Sequence, residues 1–103
     1  MVIISKTILN EFVAKHPDAA TAKAVGKWYD DTKAADWKNF NQVRKTFNSA
    51  DSVGNDRYVF DIMGNHYRLI ALIIFEVRTL FILFIDTHEA YDKVDASKVI
   101  FKK

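Results

Sequence analysis

The chain has 103 residues, 50% of them hydrophobic, with 15 Lys+Arg against 13 Asp+Glu, 3 Gly, 1 Pro and no Cys. That length and apolar content fit one folded domain with its own core, and exclude disordered, collagen-like and low-complexity chains. The absence of cysteine excludes disulfides, iron–sulfur clusters, thiolate zinc sites and a cysteine nucleophile, while a net charge of +2 permits a polyanionic partner without requiring one.

The opening Met1-Val2-Ile3-Ile4-Ser5-Lys6 lacks a basic segment followed by a long apolar run, so no signal peptide is expected. A cytoplasmic location suits that reading. The most apolar region, residues 69–85, is divided by Glu76 and Arg78. A membrane helix needs about 20 apolar residues in succession, so no membrane association is expected.

Residues 2–4 read as a short first strand. Ser5 sits where an N-cap would, and Ile8, Leu9, Phe12 and Val13 follow at helical spacing until His16-Pro17 stops the pattern. Asp18 can cap a second helix with a buried stripe of Ala22, Val25 and Tyr29, weakened slightly by Gly26. Phe40, Val43 and Phe47 mark a short third helix. Residues 48–56 are rich in Ser, Asp, Gly and Asn and read as a loop. The period then changes. Residues 58–62 form a strand, Gly64-Asn65 supplies the positive φ angles of a tight turn, and residues 67–75 form the next strand. Residues 76–79 make a polar turn before a strand at 80–85. Residues 87–93 are polar and turn-like, 99–101 can add an edge strand, and Lys102-Lys103 is a frayed tail.

Helices segregated from strands in sequence predict an α+β fold, with N-terminal helices packed on an antiparallel β-sheet of four to five strands. Strands apolar at nearly every residue require cover by helices on one face at least. The other face is expected to carry function. No linker or repeat divides residues 1–103.

No glycine loop for nucleotides and no His-Glu-x-x-His motif is present. His66 and His88 can meet across neighbouring strands, but no third ligand stands out, so neither metal nor cofactor is expected. Arg68 is the odd residue in an apolar strand. It can pair internally with Asp61 or Asp86, point to the open face, or bind an anion. His88 can exchange a proton near neutral pH, and Tyr91 lies one helical turn on. Each also has an ordinary reading, as a capping or surface histidine and a packing aromatic.

Together, Arg, His, Tyr and Asn on one sheet suit a phosphodiester. RNA can be cut by its own 2′-OH attacking the adjacent phosphorus. That needs a base for the 2′-OH, donors for the charge on phosphorus and an acid for the departing 5′-oxygen. An arginine clamps phosphate oxygens, an imidazole carries protons, and aromatic rings stack on bases.

The pattern Gly64-Asn65-x-x-Arg68-Leu69-Ile70-Ala71, followed by Thr87-His88-x-x-Tyr91-Asp92 after two hydrophobic strands, resembles the HigB family of bacterial toxins in the RelE-like superfamily. Ile3-Ile4-Ser5-Lys6-Thr7, His16-Pro17-Asp18-Ala19, Trp28-Tyr29 and Asp36-Trp37-Lys38 are similar to that family too. The resemblance implies a type II toxin–antitoxin toxin that is an mRNA interferase, an endoribonuclease acting on the translating ribosome without metal. It also implies a HigA-like antitoxin with a helix-turn-helix domain, through which alone the toxin meets operator DNA. By the resemblance Arg68 stabilises phosphate, His88 acts near the scissile bond, and Tyr91 and Asp92 close the motif. Asn65 is the turn asparagine, either an RNA contact or a residue tolerant of left-handed geometry. RelE-type toxins carry two lysines on the strand before the hairpin, where this chain has Val59 and Asp61. Their general base is therefore missing here. Arg57 can supply replacement charge, and Asp61 is either a base or the internal partner of Arg68. The expected catalytic set is Arg68, His88 and Tyr91, with Asn65, Arg57 and Asp92 binding RNA. Two rival readings remain: a non-enzymatic ParE-like toxin that binds DNA gyrase, and a plain interaction module.

Overall fold

The computed structural model describes residues 1–101; the expected tail at Lys102-Lys103 lies outside the described residues. In chain order the elements are β1 (Val2–Ile4), α1 (Lys6–Lys15), α2 (Ala19–Ala34), α3 (Phe40–Thr46), β2 (Asp51–Gly54), β3 (Arg57–Ile62), β4 (Tyr67–Ile74), β5 (Thr79–Thr87) and α4 (His88–Tyr91). The fold is α+β, as expected. Its five strands form one sheet in the order β1-β5-β4-β3-β2. The strands from β2 to β5 run as an antiparallel meander, but β1 pairs with β5 in parallel, so the sheet is mixed rather than wholly antiparallel. The α1–α3 excursion between β1 and β2 carries the chain across the sheet, leaving the two edges to β1 and β2.

Local signals explain most of the elements. The Asp18 side chain accepts the Thr21 N–H and so caps α2, and Asn39 caps α3 through Gln42 in the same way. Ser5 does not act as the expected cap. It is in the left-handed region, at φ 75°, and no side-chain bond reaches the first turn of α1. The buried stripe of α2 is Thr21, Val25, Trp28 and Thr32, one step round from the expected Ala22–Val25–Tyr29 line. Trp28 decides this: its ring lies edge-on to Phe60 of β3, and that contact turns the helix.

Two further expectations fail for a shared reason. Residues 51–54 are a strand, not loop, because Asn55 and Asp56 both adopt positive φ and close a two-residue hairpin onto β3. In the β3–β4 turn the positive φ angles fall on Met63 and Gly64, not on Asn65. Asn and Asp tolerate left-handed geometry locally, and register chooses which residue has to adopt it.

The helix-side face of the sheet buries Tyr58, Phe60, Ile62, Leu69, Ala71, Ile73, Leu80, Ile82 and Ile85 against Leu9, Phe12, Val25, Trp28 and Val43. The opposite face is not open as expected. Val59, Ile70, Leu72, Phe81 and Leu83 are covered in part by Tyr91, Val94, Ala96, Val99 and Phe101. A bulge in β5 at Leu83 turns that extra apolar residue onto this second core. Residues 99–101 form no strand; they lie over the sheet as coil. Residues 88–91 are a turn of helix, capped by the Thr87 side chain accepting the Ala90 N–H, where a plain turn was expected. The meander ends that this cover leaves accessible, at the β3–β4 turn and the β5–α4 junction, are where the site lies.

Candidate active site

Register brings three charged residues into one row. Arg68 on β4 stands opposite Asp61 on β3 and opposite Asp86 on β5. Its guanidinium is ion-paired with Asp61 through Nη1, and the two side chains are 21% and 20% exposed. Of the alternatives for Arg68, the internal pair with Asp61 is the one formed. Asp86 turns instead to the backbone, its Oδ1 accepting the Thr87 N–H at 2.8 Å. The Arg68 Nε is buried without a partner, and its guanidinium carbon lies 5.7 Å from the centroid of the Tyr91 ring. Tyr91 is thus a lid on the arginine, held by α4. A guanidinium carries five N–H donors, so pairing with one carboxylate leaves donors for a second anion.

His88 begins α4, and its Nδ1 lies 3.3 Å from Asp92 Oδ2, one turn on. A carboxylate at Nδ1 makes that nitrogen the donor and leaves Nε2 as the atom that exchanges a proton with anything outside. The Asp92 side chain, expected to bind RNA, is placed to orient His88. Asn65, His66, Tyr67, Thr87, His88 and Glu89 line one open pocket of about 410 Å³. Arg68 does not line it. Tyr91, one turn from His88 on the same helix, connects the pocket to the arginine.

Tyr67 forms the floor of the pocket and is fixed from behind. Its hydroxyl lies 3.1 Å from Thr21 Oγ1, which donates to Asp18 Oδ2 at 2.7 Å. A threonine has one proton to give and the carboxylate takes it, so Tyr67 donates to Thr21. The Thr21 hydroxyl and then its N–H hold the Asp18 carboxyl below the usual carboxylate range. Phe12 and His16 pack edge-on to the Tyr67 ring, at 4.8 and 5.4 Å between centroids. The capped start of α2 and the end of α1 therefore set the position of the pocket floor.

Arg57 is the one expected site residue that the fold does not bring to this end. It starts β3, four residues before Asp61, and its guanidinium donates to Val99 O at 3.0 and 2.7 Å and to Asn55 O at 2.8 Å. It straps the covering segment to the sheet. Sequence reasoning used His66 only as a metal ligand and overlooked Thr87 as a cap. Register counted outward from the β4–β5 turn sets His66 opposite Thr87, and the extra residue at the β5 bulge moves it to His88; Thr87, three residues before Ala90, is a recognisable cap position.

A family model for the HigB toxin, the RelE-like toxic component of a toxin–antitoxin system, matches residues 21–94. The match contains every side chain of the pocket, together with Asp61, Arg68, Tyr91 and Asp92. The chain is also 34% identical over 96 residues to the mRNA interferase HigB of Escherichia coli O6:H1, covering 91% of each chain. No helix among the described residues is long and apolar enough to cross a membrane. The fold, the sheet-end pocket and both similarities agree, and this chain belongs to the HigB family of RelE-like toxins, the toxic components of toxin–antitoxin systems that are paired with an antitoxin.

Proposed function

We propose that the chain is an endoribonuclease that cleaves mRNA by attack of a 2′-OH on the adjacent phosphorus. The observation that carries this reading is the pocket at the sheet end, where a His88 oriented by Asp92 adjoins the Arg68–Tyr91 pair. In this scheme His88 Nε2 exchanges a proton with the reacting oxygens. Arg68 keeps one side on Asp61 and offers its remaining donors to the phosphate. Tyr91 shields that arginine from water, which strengthens its hold on a developing charge. Asn65, exposed at the pocket rim, contacts RNA.

The local charge argues for a message presented by the ribosome. Asp61, Asp86, Glu89 and Asp92 crowd the same end as Arg68. Affinity for free RNA comes mainly from cations that neutralise phosphates, and this end has few. A ribosome that holds the message removes that requirement. The reading includes a cytoplasmic site of action and a HigA-like antitoxin, with operator DNA reached only through that antitoxin. The test is induction of the chain followed by mapping of transcript 5′ ends. New ends within translated regions, lost with His88→Ala, support it. Growth arrest with intact transcripts and damaged DNA overturns it and favours a ParE-like gyrase poison.

A further inference from the structure

The pocket holds a second imidazole that this scheme does not use. We propose that His66 is a catalytic residue and forms, with His88, the proton-transfer pair for RNA cleavage; the proposal rests on the endoribonuclease reading above. One step beyond the Tyr67–Thr87 pair of the β4–β5 ladder, the His88 N–H donates to the His66 carbonyl at 3.2 Å. His66 ends the β3–β4 turn and His88 starts α4, so this bond ties the two backbones together just past the end of the ladder. Both histidines line the same pocket of about 410 Å³, within the roughly 300–1,000 Å³ typical of sites for small molecules.

The other bases at this end are engaged. Asp61 is held by Arg68, Asp86 accepts the Thr87 N–H, and Asp92 faces His88. Glu89 lines the pocket but is exposed. The His66 side chain is exposed, with the edge of Tyr67 as its aromatic neighbour at 6.2 Å. An imidazole is a base when neutral and an acid when protonated, so two in one pocket can fill both roles. The titratable groups facing the pair are Glu89 and Asp92 from α4, Tyr67 from β4 and Asp86 from β5, with His16 of α1 behind Tyr67.

The step balances without another reagent. The neutral imidazole takes the 2′-OH proton as the 2′-oxygen bonds to phosphorus. The protonated imidazole gives its proton to the 5′-oxygen as the phosphorus–5′-oxygen bond breaks. The products are a 2′,3′-cyclic phosphate and a 5′-hydroxyl, and the two rings have exchanged protonation states, which solvent restores.

The test measures cleavage of a defined message on programmed ribosomes over about pH 6 to 9 for the wild type, His66→Ala, His66→Gln and His88→Ala. Removing a general acid or base ordinarily slows a reaction by about 10²–10⁴-fold, and that loss is expected for each variant. The wild-type profile should be bell-shaped, and the His66 and His88 variants should lose opposite limbs. His66→Gln, which can hydrogen-bond but not shuttle a proton, should be as slow as His66→Ala. Thermal unfolding should be unchanged, because the side chain is exposed. Wild-type rates in either His66 variant, or a slow variant that keeps both limbs, overturn the proposal and leave the ribonuclease reading standing. No cleavage by the wild-type chain overturns both.

Discussion

Arg57 and Arg68 stand on neighbouring strands and face the same side of the sheet, yet the two ends of that face differ in what they do with a guanidinium. At one end Arg57 donates to the carbonyls of Val99 and Asn55, and the covering segment lies over it. At the other, Arg68 meets the carboxylate of Asp61, its Nε has no partner, and Tyr91 covers one side. Backbone carbonyls carry no net charge, so Arg57 is a structural strap. A carboxylate opposite Arg68 engages part of its fork and leaves donors for a second anion. The difference teaches that a cation in an apolar strand is interpreted by what the neighbouring strand puts opposite it.

The sharpest way to break the comparison is to remove each arginine in turn. Arg68→Ala is expected to slow cleavage by about 10²–10³-fold, the usual cost of losing one donor to a developing oxyanion. It should also lower stability by about 1–3 kcal/mol, because Asp61 loses its partner. Arg68→Lys should restore little activity, since an ammonium cannot serve two anions with a planar fork. A double-mutant cycle with Asp61→Asn and Arg68→Gln in urea unfolding measures the coupling directly. A folded Arg68→Ala protein that cleaves at the wild-type rate would remove the arginine from the mechanism.

Arg57→Ala should behave oppositely. Loss of its bonds to Val99 and Asn55 is expected to lower unfolding free energy by about 1–3 kcal/mol and to leave kcat unchanged well below the melting temperature. Lost activity in a protein of normal stability would make Arg57 an RNA contact after all. Next in size is a control on the helical layer, remote from both ends. Gly26 lies inside α2, and a Cβ built there meets nothing within 4 Å. Gly26→Ala should therefore raise stability by about 0.5–1 kcal/mol with cleavage unaffected.

The smallest effect concerns pH. The Thr21 bonds hold the folded Asp18 carboxyl below its ordinary value of 3.8. A depressed folded value contributes stability that is present above the unfolded value and is lost as pH falls through the folded one. Asp18→Asn should thus narrow the gap between melting temperatures at neutral and acidic pH. Because Thr21 also receives the Tyr67 hydroxyl, the variant shows how firmly the pocket floor depends on this cap.

Much of the molecule was legible in the residues themselves. The β5–α4 motif, the cap at Asp18, the continuous apolar runs of β4 and β5, and the kinship all follow from local pattern. Such patterns are carried by neighbours a few residues apart, and helix caps and strand alternation act at that range. Which side of α2 faces inward was decided by Trp28 meeting Phe60, and the parallel placement of β1 by the course of the helices. The same is true of the site. Composition and spacing determined that Arg68, His88, Tyr91 and Asn65 were the residues to watch. Only tertiary structure chose Asp61 over Asp86 as the partner of Arg68, laid Tyr91 over it, drew Arg57 to the far end and tied His66 to His88 by a backbone bond. Each of those depends on strand register, and register is a long-range property fixed when whole strands bury their apolar faces together.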